Sequence, residues 1–258
     1  MKNIYRLAAW NLRGTVKLIL PIWLFMGVTQ FMYLMSDAAK KENAWKELMM
    51  PLPISAETII FAAAYMAAII ISVYPVFVQT YGRAKGMYTL MSLPMPRRNI
   101  LLANILSGLC IAFSTVAVQL MLFFVYYMPV MHMAETARLK AGYAFPVFVK
   151  DGLFLTFMRN DFMRILLPTT FVDAIIFVSV IVCTTVLLHC IPMHSGAIAK
   201  AVSLLLTLIG GMLGLAGLMF TITNTSGLMY VIILGLLIAI SAAALIWAFS
   251  SLKKAKNL

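Results

Sequence analysis

NILLANILSGLCIAFSTVAVQLMLFFVYYM, residues 99–128, runs without one charged side chain. About 20 predominantly apolar residues cross the roughly 30 Å of bilayer hydrocarbon as a helix. This stretch is longer than that, so it reads as a membrane span that projects beyond the bilayer. Working outward, the same reading places spans at about 17–35, 57–80, 166–189, 199–220 and 227–250. Six spans leave no room in 258 residues for a soluble catalytic domain. The expected fold is a single all-α transmembrane domain over 1–258, in keeping with 63% hydrophobic residues and a mean hydropathy of +0.99. Soluble domains are about 45–50% apolar.

Charge orients the spans. Segments 1–20, 81–100, 189–200 and 251–258 hold twelve basic residues and no acid: Lys2, Arg6, Arg13, Lys17, Arg83, Lys85, Arg97, Arg98, Lys200, Lys253, Lys254 and Lys256. All 8 acids fall in the remaining segments, mainly 36–57 and 129–173, where the other basic residues balance them. Lys and Arg stay on the cytoplasmic side during insertion, so both termini are expected in the cytoplasm. The net charge of +12 thus flanks spans and faces anionic lipid headgroups rather than nucleic acid. The run from Leu18 to Met35 lacks a small-residue cleavage site and is followed by Lys40 and Lys41, so it reads as a span and not a cleaved leader.

Between spans the sequence predicts three further features. Residues 1–16 set Ile4, Leu7, Ala8 and Leu12 at helical spacing beside Lys2, Arg6 and Arg13, as in a short helix lying in the cytoplasmic interface. Residues 129–165 form the longest polar region, expected outside the cell and interrupted by Gly142, Pro146 and Gly152. Residues 81–98 begin with Arg83 and Lys85, end with Arg97 and Arg98, and carry Met87, Leu90, Met91 and Leu93 at helix-like intervals between them. Pro94 and Pro96 stop that helix and turn the chain back to the membrane. Its apolar ridge fits a groove on a partner protein. A loop resting on headgroups with no partner is the plainer alternative.

This loop resembles the cytoplasmic loop between spans two and three of bacterial ABC-2 type transporter permeases. There a basic-Gly-x-x-x-Leu-x-x-Leu-Pro-x-x-Arg pattern precedes a long third span, matched here by Lys85, Gly86, Leu90, Leu93, Pro94 and Arg97. The layout of spans, the cytoplasmic termini and the basic N-terminal helix are similar too. One departure is Asn104, where such permeases often carry Lys; it bears on where the third span begins.

The resemblance implies an ABC-2, type V exporter-like permease that is not itself an enzyme. Such a permease works with two copies of a separate ATP-binding cassette ATPase, which carry ATP and Mg, and with a second permease subunit in a homo- or heterodimer. Arg83, Lys85, Gly86, Met87, Leu90, Met91, Leu93, Pro94, Arg97 and Arg98 would then form the ATPase-coupling helix. The missing half of the machine agrees with this chain, which has no Gly-x-x-x-x-Gly-Lys-Ser/Thr phosphate loop. The second cytoplasmic loop, with His189, Pro192 and His194, would offer the ATPase a second surface; for two histidines so spaced an ordinary solvated turn is the better reading. Compact permeases of this kind resemble exporters of amphipathic peptides or toxins, including phenol-soluble-modulin-type transporters of the bacterial plasma membrane. Efflux of lipid, drug or antibiotic stays open.

Ionisable groups inside spans are functional candidates by default, and here they are few. Asp173 begins span four and Glu57 begins span two. Gln79, Gln119 and Thr184 join Asp173 as candidates for a translocation path; hydrogen bonding between helices is the commoner use of such residues. Gly210, Gly214 and Gly217 form a small-residue face for close helix packing in span five. Cys110, Cys183 and Cys190 have neither disulfide nor metal spacing and read as small core residues. An ion-coupled secondary transporter would need charges near the bilayer midplane. A membrane enzyme would need a cluster of His, Asp or Glu at one depth. Neither pattern is present in the sequence.

Overall fold

The computed structural model describes residues 2–40, 56–81, 96–140, 166, 171–190 and 227–254. They form α1 (Lys2–Lys40), α2 (Ala56–Tyr81), α3 (Arg97–Lys140), α4 (Phe171–Cys190) and α5 (Gly227–Lys254). Among the described residues the protein is all-helical. Three helices are long and apolar enough to cross a membrane, over Ile4–Ser36, Ala56–Val76 and Arg98–Met133. Two shorter apolar helical stretches follow, Phe177–Cys190 and Ile238–Ser250. The chain reads as a membrane protein. The expected fifth span, 199–220, with Gly210, Gly214 and Gly217, lies outside the described residues.

The N-terminal helix corrects the sequence reading. A separate interfacial helix over 1–16 does not form; it is continuous with the first span and with residues 36–40 of the expected outer loop. The cause is one unbroken buried stripe. Ala8, Asn11, Thr15, Ile19, Met26 and Gln30 are all buried, at spacings that keep to one face of a helix. Three of these are polar, so a hydrophobic pattern misses the stripe. Arg6, Arg13 and Lys17 point away from it and are exposed. Pro21 lies inside the helix and removes one backbone bond, a loss that neighbouring helices in a membrane offset. At about 1.5 Å per residue, α1 is far longer than the hydrocarbon is thick.

The third span also continues further than expected. α3 runs through Pro129 to Lys140, so residues 129–140 continue the third helix into the segment expected outside the cell. The remainder of that region, 141–165, lies outside the described residues. α2 and α5 match the expected spans within a few residues at each end, and α4 begins at Phe171.

α3 is the central element. α1 lies parallel to it: Asn11 Nδ2 donates to Asn104 Oδ1 at 2.6 Å, and Trp23 Nε1 donates to Thr115 Oγ1 at 3.0 Å. Further along, the Tyr126 hydroxyl donates to the Gly27 carbonyl at 2.6 Å. α2 runs antiparallel to α1, because Gln30 near the far end of α1 donates to the Glu57 carbonyl in the first turn of α2. Met26, Tyr65, Ile69, Val116, Phe177 and Ile181 form the main core where α1 to α4 meet. Apolar packing of this kind, rather than a hydrophobic drive, holds helices together in lipid.

Three levels order the bundle. At one end Asn11 meets Asn104, and Leu101 and Ile105 pack on Cys190 and Ala248. In the middle Ile19, Ala68 and Ile111 touch. At the other end lie Gln30, Glu57 and Tyr126. We call the first end basic, because Arg13 and Arg98 lie there, and the last the Glu57 end. α4 and α5 run the same way: Ser241 Oγ donates to the Cys183 carbonyl at 3.0 Å, and Ala248 packs with Cys190. The start of α1 and the end of α5 therefore share the basic end. Outward faces are apolar. Leu24 is 64% exposed, Phe25 69% and Met121 68%, as suits a surface bathed in acyl chains.

Candidate functional site

Of the expected coupling residues, only Arg97 and Arg98 are among those described. They open α3, and the Asn99 N–H donates to the Pro96 carbonyl at 2.8 Å in the turn that starts it. Arg98 is exposed. Tyr81, which ends α2, and Arg97 bracket the loop at the basic end of the bundle. Arg83, Lys85, Gly86, Met87, Leu90, Met91, Leu93 and Pro94 lie outside the described residues.

His189 departs from its expected surface role. It sits in the last turn of α4 and is fully buried. Its Nδ1 donates to the Thr185 carbonyl at 2.8 Å, and among the described residues its Nε2 meets no partner within hydrogen-bond geometry. The ring lies against Gly108 of α3. A Cβ built there would approach His189 Nε2 to 2.6 Å and Thr185 Cγ2 to 2.9 Å, so only glycine admits the imidazole at this crossing. A solvated turn starting at His189 is excluded by this packing. Pro192 and His194 fall outside the described residues.

The four candidates for a path are not brought together. Gln79 is in the last turn of α2, and Asp173 in the first turn of α4, near opposite ends of the bundle. Thr184 is buried, and its hydroxyl donates to the Val180 carbonyl at 2.7 Å on its own helix. Gln119 is different. It is 2% exposed, its Oε1 has no hydrogen-bond partner, and it lines a small cavity with Glu57, Phe123 and Tyr126.

Two polar contacts were not legible as pairs. Asn104, the departure from the permease pattern, is 1% exposed and accepts from Asn11 of α1. Where a lysine would need a charge partner or a route to the headgroups, an asparagine is held by a neutral partner on the next helix. Gln30, in the middle of an apolar run, ties α1 to the start of α2 at 3.2 Å. A lone amide in an apolar run is the sequence signal for both, but it does not name the partner.

No family model, curated protein or solved structure matches the chain.

Proposed function

We propose that the chain is the membrane-spanning permease subunit of an ATP-driven ABC exporter of the bacterial plasma membrane. It would move amphipathic peptides, toxins or other hydrophobic cargo with two copies of a separate ATPase and a second permease subunit. The observation that carries this reading is the motif Lys85-Gly86…Leu90…Leu93-Pro94…Arg97 directly before a long third helix.

Two features of the bundle support it. The ends of the loop, Tyr81 and Arg97, lie at the basic end with the start of α1, where one soluble partner can reach them. α4 and α5 run in the same direction, as the expected spans four and six would in a six-span layout. Both termini would then be cytoplasmic by the charge bias. The coupling helix transmits closure of the ATPase pair, and the lipid-facing apolar surfaces supply the remaining subunit contact. ATP and Mg bind in the partner alone.

Affinity purification of the tagged chain, coexpressed with its neighbouring genes, tests the reading. An ATPase that carries a phosphate loop should copurify in equal amount, and its hydrolysis should respond to the permease. Purification of a stable permease without any ATPase defeats the proposal.

A further inference from the structure

The Glu57 end of the bundle contains a polar arrangement that the coupling loop does not explain. A carboxylate in the first turn of a helix is ordinarily solvated, where it complements the positive end of the helix dipole. Glu57 is instead 7% exposed, covered by α1 and α3, which both continue past it. No ion pair to it forms among the described residues. An unpaired carboxylate in such a place is costly, and something must offset its charge.

The surrounding groups indicate what. Gln119 lines the same cavity with its Oε1 unpartnered. Tyr126 also lines it, and its hydroxyl hydrogen is committed to the Gly27 carbonyl at 2.6 Å, so its oxygen can only accept further. Gln30 spends its Nε2 on the Glu57 carbonyl, and its Oε1 is likewise without a partner. Among the described residues, Gln30 Oε1 and Gln119 Oε1 are thus buried acceptors that no donor reaches. Leu34 and Phe123 close the space with apolar surface. The cavity measures about 10 Å³, room for one water-sized group.

We propose that Glu57, Gln119 and Tyr126 form a binding site for a single small monovalent cation, held by oxygen atoms between α1, α2 and α3. Na⁺ and K⁺ share this chemistry, because oxygen is the donor that hard cations take; a proton instead bonds to one Glu57 oxygen and removes the charge without the other ligands. A bound cation would offset the buried carboxylate and pin the first turn of α2 between the two long helices. The site is at the end of the bundle opposite the loop 81–98, so it stands or falls independently of the proposed ATPase partner.

The test is the melting temperature of the purified protein in nanodiscs, at equal ionic strength in NaCl, KCl and choline chloride, at pH 8 and pH 6. Choline is too large for the cavity. Ligands that bind only the folded state raise its stability in a saturable way. A saturable rise of several degrees in Na⁺ or K⁺ over choline identifies a metal cation. A rise on acidification in choline with no Na⁺ or K⁺ response identifies simple protonation of Glu57 and overturns the site. Glu57→Gln should abolish the Na⁺ or K⁺ response, and Gln119→Leu should raise the half-saturating concentration about tenfold, equivalent to about 1.4 kcal/mol. Should Glu57→Gln fail to fold, Gln119→Leu and Tyr126→Phe carry the comparison. Equal melting in all salts and at both pH values overturns the site, as does a response that survives in Glu57→Gln or is unchanged in Gln119→Leu.

Discussion

The two ends of the bundle treat buried polar groups differently, although among the described residues each keeps some without a partner: Asn104 Nδ2 and His189 Nε2 at the basic end, Gln30 Oε1 and Gln119 Oε1 at the other. At the basic end, amide meets amide: Asn11 donates to Asn104, and His189 is pressed onto Gly108 with no space between. At the Glu57 end, a carboxylate and the amide of Gln119 line one small cavity, and among the described residues no donor reaches Gln119 Oε1. The first arrangement is how polar groups glue helices in lipid. The second is how a protein prepares a place for something else. A polar residue in a span is thus informative only together with its partner across the interface.

The strongest way to break the contrast is at the tight crossing. Gly108→Ala places a Cβ against a buried imidazole on a rigid helix, and overpacking of this kind costs about 1–3 kcal/mol. Thermal melts in detergent should show a large drop for Gly108→Ala, partly recovered in Gly108→Ala combined with His189→Ala. No recovery in the double variant would mean that the ring is not what glycine makes room for.

Next in size is the asparagine pair. Asn104→Leu removes the acceptor of the Asn11 Nδ2 hydrogen bond and should cost about 1–2 kcal/mol, whereas changing both residues to Leu should restore much of the loss. Additive losses in the double-mutant cycle would deny the hydrogen bond between them.

The smallest effect is expected at the other end. In choline buffer, Gln119→Leu removes an unsatisfied acceptor and should leave stability within about 0.5 kcal/mol of the parent or slightly raised. The same change of amide to leucine is therefore costly at one end and nearly free at the other. A loss at Gln119 as large as that at Asn104 would erase the difference.

Hydropathy and charge made the helices legible, because crossing hydrocarbon demands long apolar runs whatever the neighbours are. Helix ends were less legible. The chain from Lys2 to Lys40 forms one helix because Asn11, Thr15 and Gln30 extend its buried face, and polar residues do not register in an apolar pattern. The helix likewise passes through Pro129, where the sequence reading ended span three. Gly108 escaped notice for a related reason. Small-residue motifs such as Gly210, Gly214 and Gly217 announce close packing by their spacing, but a single glycine does so only through a histidine far along the chain. Glu57 and Gln119 were each visible as polar residues in spans; their convergence on one cavity depends on the register of α2 against α3. The motif at 81–98 stands on sequence alone.

That loop carries the central claim, and its apolar ridge is the place to test it. With permease and ATPase reconstituted together in liposomes, the rate of ATP hydrolysis should depend on the permease. Leu90→Asp and Leu93→Asp should each reduce that dependence at least tenfold while leaving the permease folded and membrane-inserted. Hydrolysis that responds to the charged variants as it does to the parent chain would contradict the assignment of residues 81–98 as the coupling element.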